Sequence, residues 1–382
     1  MAEIVFWVSL GGVLGTYVGY PLALWAWARL APKPVARRPV LPTVSVVLAV
    51  RDEADRIAAR LADLLALDYP PDRLSVIVVS DGSTDGTPER AREAAAGDPR
   101  VTVIALDRPT GKAAALNAGV AKASGEIVVF ADARQRFRRS AVRRLVENFA
   151  DPSVGVASGR LVLEDTEGVE VAEGLSLYWR YELWLRARES AVGSTLGATG
   201  AIYAIRRHLY QPIAPDTILD DVAIPMLAVL AGARSVLDER AIAIDRVAPS
   251  GNHELARKVR TLYGNYQLLA RYPALLSRRN PVLGRFLAHK VARLAVPLWL
   301  ALIAVSTVFL DGAYAVFGLL HWAAYGAALV GSAADGRRGR RRGPVARVAS
   351  AAYVFLLLNW AALLALVRFL RGDRAVWVRT RA

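Results

Sequence analysis

Five side chains in this sequence stand where their types and neighbours suit chemistry: Asp81, Lys112, Asp132, Asp220 and Asp221. Asp81 and Asp132 each close an apolar run, in VIVVSDGSTDGT and GEIVVFADARQRF, so each carboxylate is offered at the end of a buried segment. Lys112 follows Gly111 at the start of a helical stretch, whose free amides and positive dipole end suit a phosphate. A lysine meets phosphate oxygens as a point charge, and a hard cation takes carboxylate oxygens. Acidic groups beside a lysine and a helix start therefore describe a nucleoside diphosphate held through a divalent ion. Asp220 and Asp221, in TILDDV, offer a second function. A carboxylate there can take the proton of an attacking hydroxyl, general-base catalysis worth about 10²- to 10⁴-fold. The same pair suits the cap of a helix starting near Ala223, and the two roles are compatible. Asp85 reads as a helix cap.

These groups need a scaffold that delivers polar residues to one edge. Val44–Val50 and residues 74–79 are almost continuously apolar, as strands covered on both faces of a parallel sheet are. Between them Ile57, Leu61, Leu64 and Leu65 recur at helical spacing until Asp68-Tyr69-Pro70-Pro71 stops the helix. The alternation continues with strands at Val101–Leu106 and 126–131 and a helix at 112–123, which predicts a doubly wound α/β domain. Right-handed crossovers bring the strand ends to one side. That edge then holds Asp52 and Glu53 from the first strand, Asp81 from the second and Asp132 from the fourth. GxGxxG is absent, which argues against a dinucleotide fold.

A hydrophobic content of 54% and a mean hydropathy of +0.29 over 382 residues are high for a soluble protein. Residues 4–28 carry no charge and are long enough for a bilayer core of about 30 Å. They lack a basic leader and a small-residue cleavage site, so they read as a retained anchor. Residues 294–310, 312–334 and 350–367 are three further uncharged stretches. The net charge of +15 gathers beside them, in Arg29, Lys33, Arg37 and Arg38 and in Arg337, Arg338, Arg340, Arg341 and Arg342. Attraction to an anionic leaflet accounts for such clusters without nucleic acid. The rule that basic loops face the cytoplasm puts residues 40–290 inside. Four simple crossings would leave the arginine-rich tail from Arg368 outside. Either that tail departs from the rule or one stretch lies in the interface. Zero cysteines exclude disulfides and thiolate metal sites.

In order along the chain, VSVVLAVRDEADRI, VIVVSDGSTDGT, GKAAALNAG and GEIVVFADARQRF resemble the motifs of a known family. It is the inverting, membrane-bound family 2 glycosyltransferases, relatives of cellulose, chitin and hyaluronan synthases. The resemblance implies an α/β GT-A catalytic domain at 44–250, cytoplasmic at the inner (plasma) membrane. Around it are expected an N-terminal transmembrane helix (1–30), a linker (31–43), amphipathic interfacial helices (251–293), about three C-terminal transmembrane helices (294–370) and a basic tail (371–382). The implied partners are a nucleotide-sugar donor, expected to be a UDP-sugar, a polysaccharide or lipid-linked acceptor, and membrane lipids.

The resemblance also implies roles. Asp81 would contact the nucleotide base, with Asp52 or Glu53 lining the pocket. Lys112 would sit near the base or diphosphate, Asp132 would bind Mg²⁺ or Mn²⁺, and Asp221 would be the base with Asp220 beside it. In GATGAIYAIRR, Gly200 leaves room for a sugar. Arg257 and Arg260, in RKVRT, occupy the place of the family's Gln-x-x-Arg-Trp, with Arg260 facing the leaving diphosphate. The chain departs from the pattern at three points. Ser80 replaces a common Asp, Thr261 replaces the Trp, which puts processive synthesis in doubt, and Arg134 replaces the second Asp of Asp-x-Asp. Arg134 either pairs with the diphosphate or joins Arg136, Arg138 and Arg139 in a solvated basic edge. Residues 174–190, with Tyr178, Trp179, Tyr181 and Trp184, read as an amphipathic helix whose aromatics are core or line a sugar or membrane face. A nucleotidyltransferase and a non-catalytic nucleotide-sugar-binding subunit are the competing readings.

Overall fold

The computed structural model describes residues 1–164, 176–246, 254–335 and 344–373. The chain opens with α1 (Ala2–Leu14) and α2 (Tyr20–Leu30), joined by a π-helical turn into one apolar rod. An extended segment then leads to β1 (Val44–Val50). The units α3 (Ala54–Leu65), β2 (Leu74–Asp81), α4 (Thr87–Ala95), β3 (Val101–Leu106), α5 (Lys112–Lys122) and β4 (Ile127–Ala131) follow with short links. β1 lies parallel to β2 and β4, and β2 parallel to β3. The predicted parallel unit is present, with strand ends on one side.

The sheet then changes character. β5 (Arg136–Phe137), α6 (Ala141–Glu147), β6 (Val154–Glu164), α7 (Ser176–Ala191), β7 (Ile202–Arg206), α8 (Asp220–Leu230) and β8 (Arg234–Arg246) complete eight strands in the order β3-β2-β1-β4-β7-β6-β8-β5. β7 is antiparallel to both β4 and β6. Alternate residues of the central strands enter two cores, which is why these strands are apolar at nearly every position. Val47, Ile77, Val79 and Phe130 face α5 and α8. Val46, Leu48, Val76 and Val78 face α3, α4 and α6.

After β8 come α9 (Glu254–Arg271), α10 (Leu283–Phe286), a π-helical turn at Leu287–Val291, α11 (Ala292–Ser306), α12 (Ala313–Asp335) and α13 (Pro344–Leu370). Among the described residues, three helical stretches are long and apolar enough to cross a membrane: Ala2–Leu30, Leu283–Phe309 and Ala352–Leu370. Their outer faces leave Val8, Leu22, Leu298 and Val305 exposed, as lipid-facing surfaces do. The chain is built to associate with a membrane. The expected span at 312–334 is also helical, as α12; its side chains from 327 onward lie outside the described residues.

Two expectations are sharpened. The apolar stripe of α9 does not lie on lipid alone: Val259, Tyr263 and Leu268 are buried in the same core as Ala361 and Ala365 of α13. Of the aromatics on α7, Tyr181 and Trp184 pack with Leu185 against Leu24 of the N-terminal rod, while Trp179 is exposed. The side chain of Tyr178 lies outside the described residues.

Candidate active site

The turns after β1 and β2 are tied to each other by side chains the sequence had already singled out. Asp85 accepts the Ala54 N–H and the Thr87 N–H, each at 3.0 Å, so it fixes the starts of both α3 and α4. Burial pushes its carboxyl up, but these bonds outweigh burial and hold it below its ordinary value. Asp52 adopts a left-handed φ of 54° and accepts the Thr84 N–H at 3.0 Å. The Glu53 carboxylate pairs with Arg56 at 3.0 Å.

Asp81, only 4% exposed, accepts the Thr110 N–H at 2.6 Å, the Thr110 hydroxyl at 2.9 Å and the Gly111 N–H at 2.9 Å. It therefore fastens the turn that starts α5. Gly82 makes this approach possible. At φ +59° a Cβ there would stand 2.3 Å from the Pro109 nitrogen.

The start of α5 in turn presents Lys112. Its Nζ lies 2.9 Å from Asp132 Oδ1 and 3.3 Å from Asp220 Oδ2, bridging the end of β4 and the start of α8. Burial alone would lower the ammonium; Asp132 and Asp220 reverse this and raise it above its ordinary value. Asp132 is held from behind by a residue that sequence reasoning missed. Arg60, 2% exposed, donates from Nε to the Asp132 carbonyl at 3.0 Å, pairs with Asp63 and lies over the Phe137 ring at 4.4 Å. Asp63 also accepts the Phe137 N–H at 3.1 Å. The signal was an arginine on the buried helical face of Ile57, Leu61 and Leu64.

Asp220 and Asp221 are the first two residues of α8, which starts earlier than the expected Ala223, with Leu219 as its N-cap and no side-chain cap, so the pair lies inside the first turn rather than capping it. Pro225, four residues on, has no N–H to offer the Asp221 carbonyl. That carbonyl accepts the Ala198 N–H instead, at 2.7 Å, and so draws the 197–200 segment against the acidic pair. A Cβ at Gly200 would come within 3.1 Å of Asp221 Oδ2. α9 braces the other side, where Gln267 Oε1 accepts the Ile218 N–H at 3.0 Å and Arg271 pairs with Asp216.

The charges converge on Asp221. Burial, and then the charge of Asp220, push its carboxyl up to about 6, while Lys112, Lys290 and Arg186 pull it down. Burial lowers the Arg260 guanidinium, and Asp220, Asp221 and Asp132 pull it back, so Arg260 belongs to this acidic group. Arg257 is exposed on the same helix. Arg134 turns to Asp245 of β8, Nη2 to Oδ2 at 2.6 Å, with its side chain 46% exposed. Arg186 was also missed: from α7 it donates to Thr199 Oγ1 at 3.1 Å, Ser158 Oγ at 3.2 Å and the Gly197 carbonyl at 3.3 Å, holding the segment beneath Asp221.

Among the described residues no group of three or more His, Cys, Asp or Glu side chains is assembled for a metal ion. Asp132 is a single carboxylate, 33% exposed. This donor set does not fit an all-protein cage. It does fit an ion such as Mg²⁺, which takes one or two carboxylates and completes its shell from substrate phosphates and water.

Residues 45–211, which include Asp52, Asp81, Lys112 and Asp132 but not Asp220, Asp221 or Arg260, match the family model "Glycosyl transferase family 2". That match makes less than half of the chain similar to a family 2 glycosyltransferase domain. Among curated relatives, it is similar to the glycosyltransferase AglE of Haloferax volcanii, 27% identical over 177 residues, 46% of this chain and 56% of that protein. It is also similar to the poly-beta-1,6-N-acetyl-D-glucosamine synthase of Staphylococcus aureus, 24% identical over 263 residues, 66% of this chain and 62% of the synthase. The chain thus spans less than two thirds of the length of either relative. Among solved structures, a mannosyltransferase from Pyrobaculum calidifontis in complex with GDP-Man and Mn²⁺ shares the fold of the family 2 domain and its helices. The TM-score is 0.71 at 24% identity, over 98% of this chain and all of the other.

Proposed function

We propose that this chain is an inverting glycosyltransferase that moves a sugar from a nucleotide-sugar donor to an acceptor held at the membrane. The observation that carries this reading is Lys112 set between Asp132 and Asp220, with Asp221 beside them, at the carboxyl edge of the parallel half of the sheet. In this reading the base lies in the cleft between the Asp52 turn and the turn fastened by Asp81. Lys112 and Arg260 take the diphosphate, with Arg134 at the rim. A divalent ion at Asp132, Mg²⁺ or Mn²⁺, would neutralise diphosphate oxygens, and the Mn²⁺ in the Pyrobaculum complex supports its need.

The acceptor hydroxyl enters over Gly200, where the missing side chain leaves room. Its oxygen attacks the anomeric carbon and its proton passes to Asp221. The bond from that carbon to the β-phosphate oxygen breaks, and the electron pair leaves with the nucleoside diphosphate. Positive charge from Lys112 and Arg260 meets the charge that develops there. One displacement inverts the anomeric centre. The basic clusters beside the spans support a domain on the cytoplasmic side of the plasma membrane.

Release of nucleoside diphosphate from UDP-, GDP- and dTDP-sugars by the purified protein tests this reading. Cleavage of one donor class is expected. Tight nucleotide binding without cleavage of any donor, with Mg²⁺ or Mn²⁺ present, would instead describe a binding subunit.

A further inference from the structure

Three residues of α7 at helical steps, Glu182, Arg186 and Glu189, share one face of the helix. The two carboxylates of this stripe are tied to the spans, and the arginine between them is tied to the wall of the site. Glu189 accepts the Tyr20 hydroxyl of the N-terminal rod at 2.7 Å and lies 2.5 Å from His289 Nδ1, near the start of the first C-terminal span. Glu182 pairs with Arg293, about one turn further along that span, and lies 3.5 Å from His289 Nε2. Arg285 adds another tie, donating to the carbonyls of Glu189 at 3.0 Å and Ser194 at 2.8 Å. A buried network of this kind joins segments that cannot shift separately without leaving a charge unpaired.

From the middle of the stripe Arg186 reaches the segment that approaches Asp221. It donates to Thr199 Oγ1, Ser158 Oγ and the Gly197 carbonyl. Ser158 Oγ accepts the Thr199 N–H at 2.8 Å, and Thr199 Oγ1 donates to the Gly159 carbonyl at 2.6 Å. The guanidinium thus closes a ring of bonds between β6 and this segment. Between its two anchor points, Gly197 and Thr199, stands Ala198, whose N–H meets the Asp221 carbonyl at 2.7 Å. The next residue after Thr199 is Gly200, over which the acceptor enters in the proposed reaction. A planar guanidinium with several directed donors fixes such a segment better than a single flexible group does.

We propose that Arg186 is a positioning residue for the acceptor-side wall of the site, and that the N-terminal rod and the first C-terminal span set its place through Glu189 and Glu182. The spans then align the site as well as holding the chain at the membrane. The effect on turnover rests on the glycosyltransferase reading, whereas the mechanical link does not.

Hydrogen exchange on the full chain in detergent reads the wall without turnover. Peptides across 195–202 are expected to exchange about tenfold faster or more in Arg186→Met, the loss of charge-assisted bonds, and Arg186→Lys is expected to fall between it and wild type. Tyr20→Phe combined with His289→Gln touches none of the Arg186 bonds, yet it is expected to speed exchange in the same peptides. Peptides across 81–87 are expected to keep the wild-type rate in every variant, which reports that the rest of the domain is folded. Wild-type exchange across 195–202 would overturn the positioning role if seen in Arg186→Met, and the link to the spans if seen in the paired variant. Equal acceleration across 81–87 would show general loosening and overturn both. On the donor class that wild type cleaves, Arg186→Met is expected to lower kcat about 10²-fold, with the donor KM within about twofold of wild type. A raised donor KM at unchanged kcat would overturn the assignment to the acceptor side. Failure of wild type to cleave any donor would count against the glycosyltransferase reading alone and leave the exchange result standing.

Discussion

Asp221 must be ionised to act as a base, yet it is buried beside a second carboxylate. Both effects favour its protonated form and push it up to about 6. The sign follows directly: below pH 6 Asp221 carries its proton and cannot take one from the acceptor, and above it the base is free. The kcat/KM for transfer is therefore expected to rise about tenfold per pH unit below this value and to level off above it. A flat profile between pH 5 and 7 would show that another group takes the proton. At this scale the sequence was informative where an acid stands at a strand end or a helix start, as at Asp81, Asp132 and Asp221. It was silent on what those acids touch. Asp81 looked like a base-reading residue, and the structure adds that its carboxylate binds the Thr110-Gly111 backbone. The partners of Arg60 and Arg186 were not legible, because an arginine's partner is set by long-range packing.

At the scale of elements, the site depends on how α8 begins. Pro225 leaves the Asp221 carbonyl without a helical donor, and Ala198 takes that place from a separate segment. Pro225→Ala would return an N–H to the helix and compete with Ala198. The expected outcome is a kcat lowered several-fold or more with a melting temperature that does not fall, since alanine is the better helix residue by about 3 kcal/mol. Unchanged kcat would show that the Ala198 bond does not position the base. The parallel half of the sheet was legible because β1, β2 and β4 are buried on both faces and apolar throughout. The mixed half was not, since β7 and β8 pair with partners far away in sequence, and local pattern carries no record of that pairing.

At the scale of the molecule, the spans were legible as uncharged runs, whereas the polar cluster joining Tyr20, Glu182, Glu189, His289 and Arg293 was not, because it draws on three distant segments. The single carboxylate at Asp132 carries a further consequence for the whole enzyme. Mn²⁺ is expected to bind weakly alone and at least about tenfold more tightly when nucleoside diphosphate is present, since the substrate supplies most of the oxygens. Titration followed by the Mn²⁺ resonance signal checks this, and equal affinity in both states would point to a metal site outside Asp132. The most direct test of the account is transfer by wild type and Asp221→Asn under saturating donor, with nucleotide affinity measured alongside. Wild type is expected to release nucleoside diphosphate and form product, and Asp221→Asn to bind nucleotide normally while turning over about 10²- to 10⁴-fold more slowly. Turnover by Asp221→Asn at the wild-type rate would contradict it.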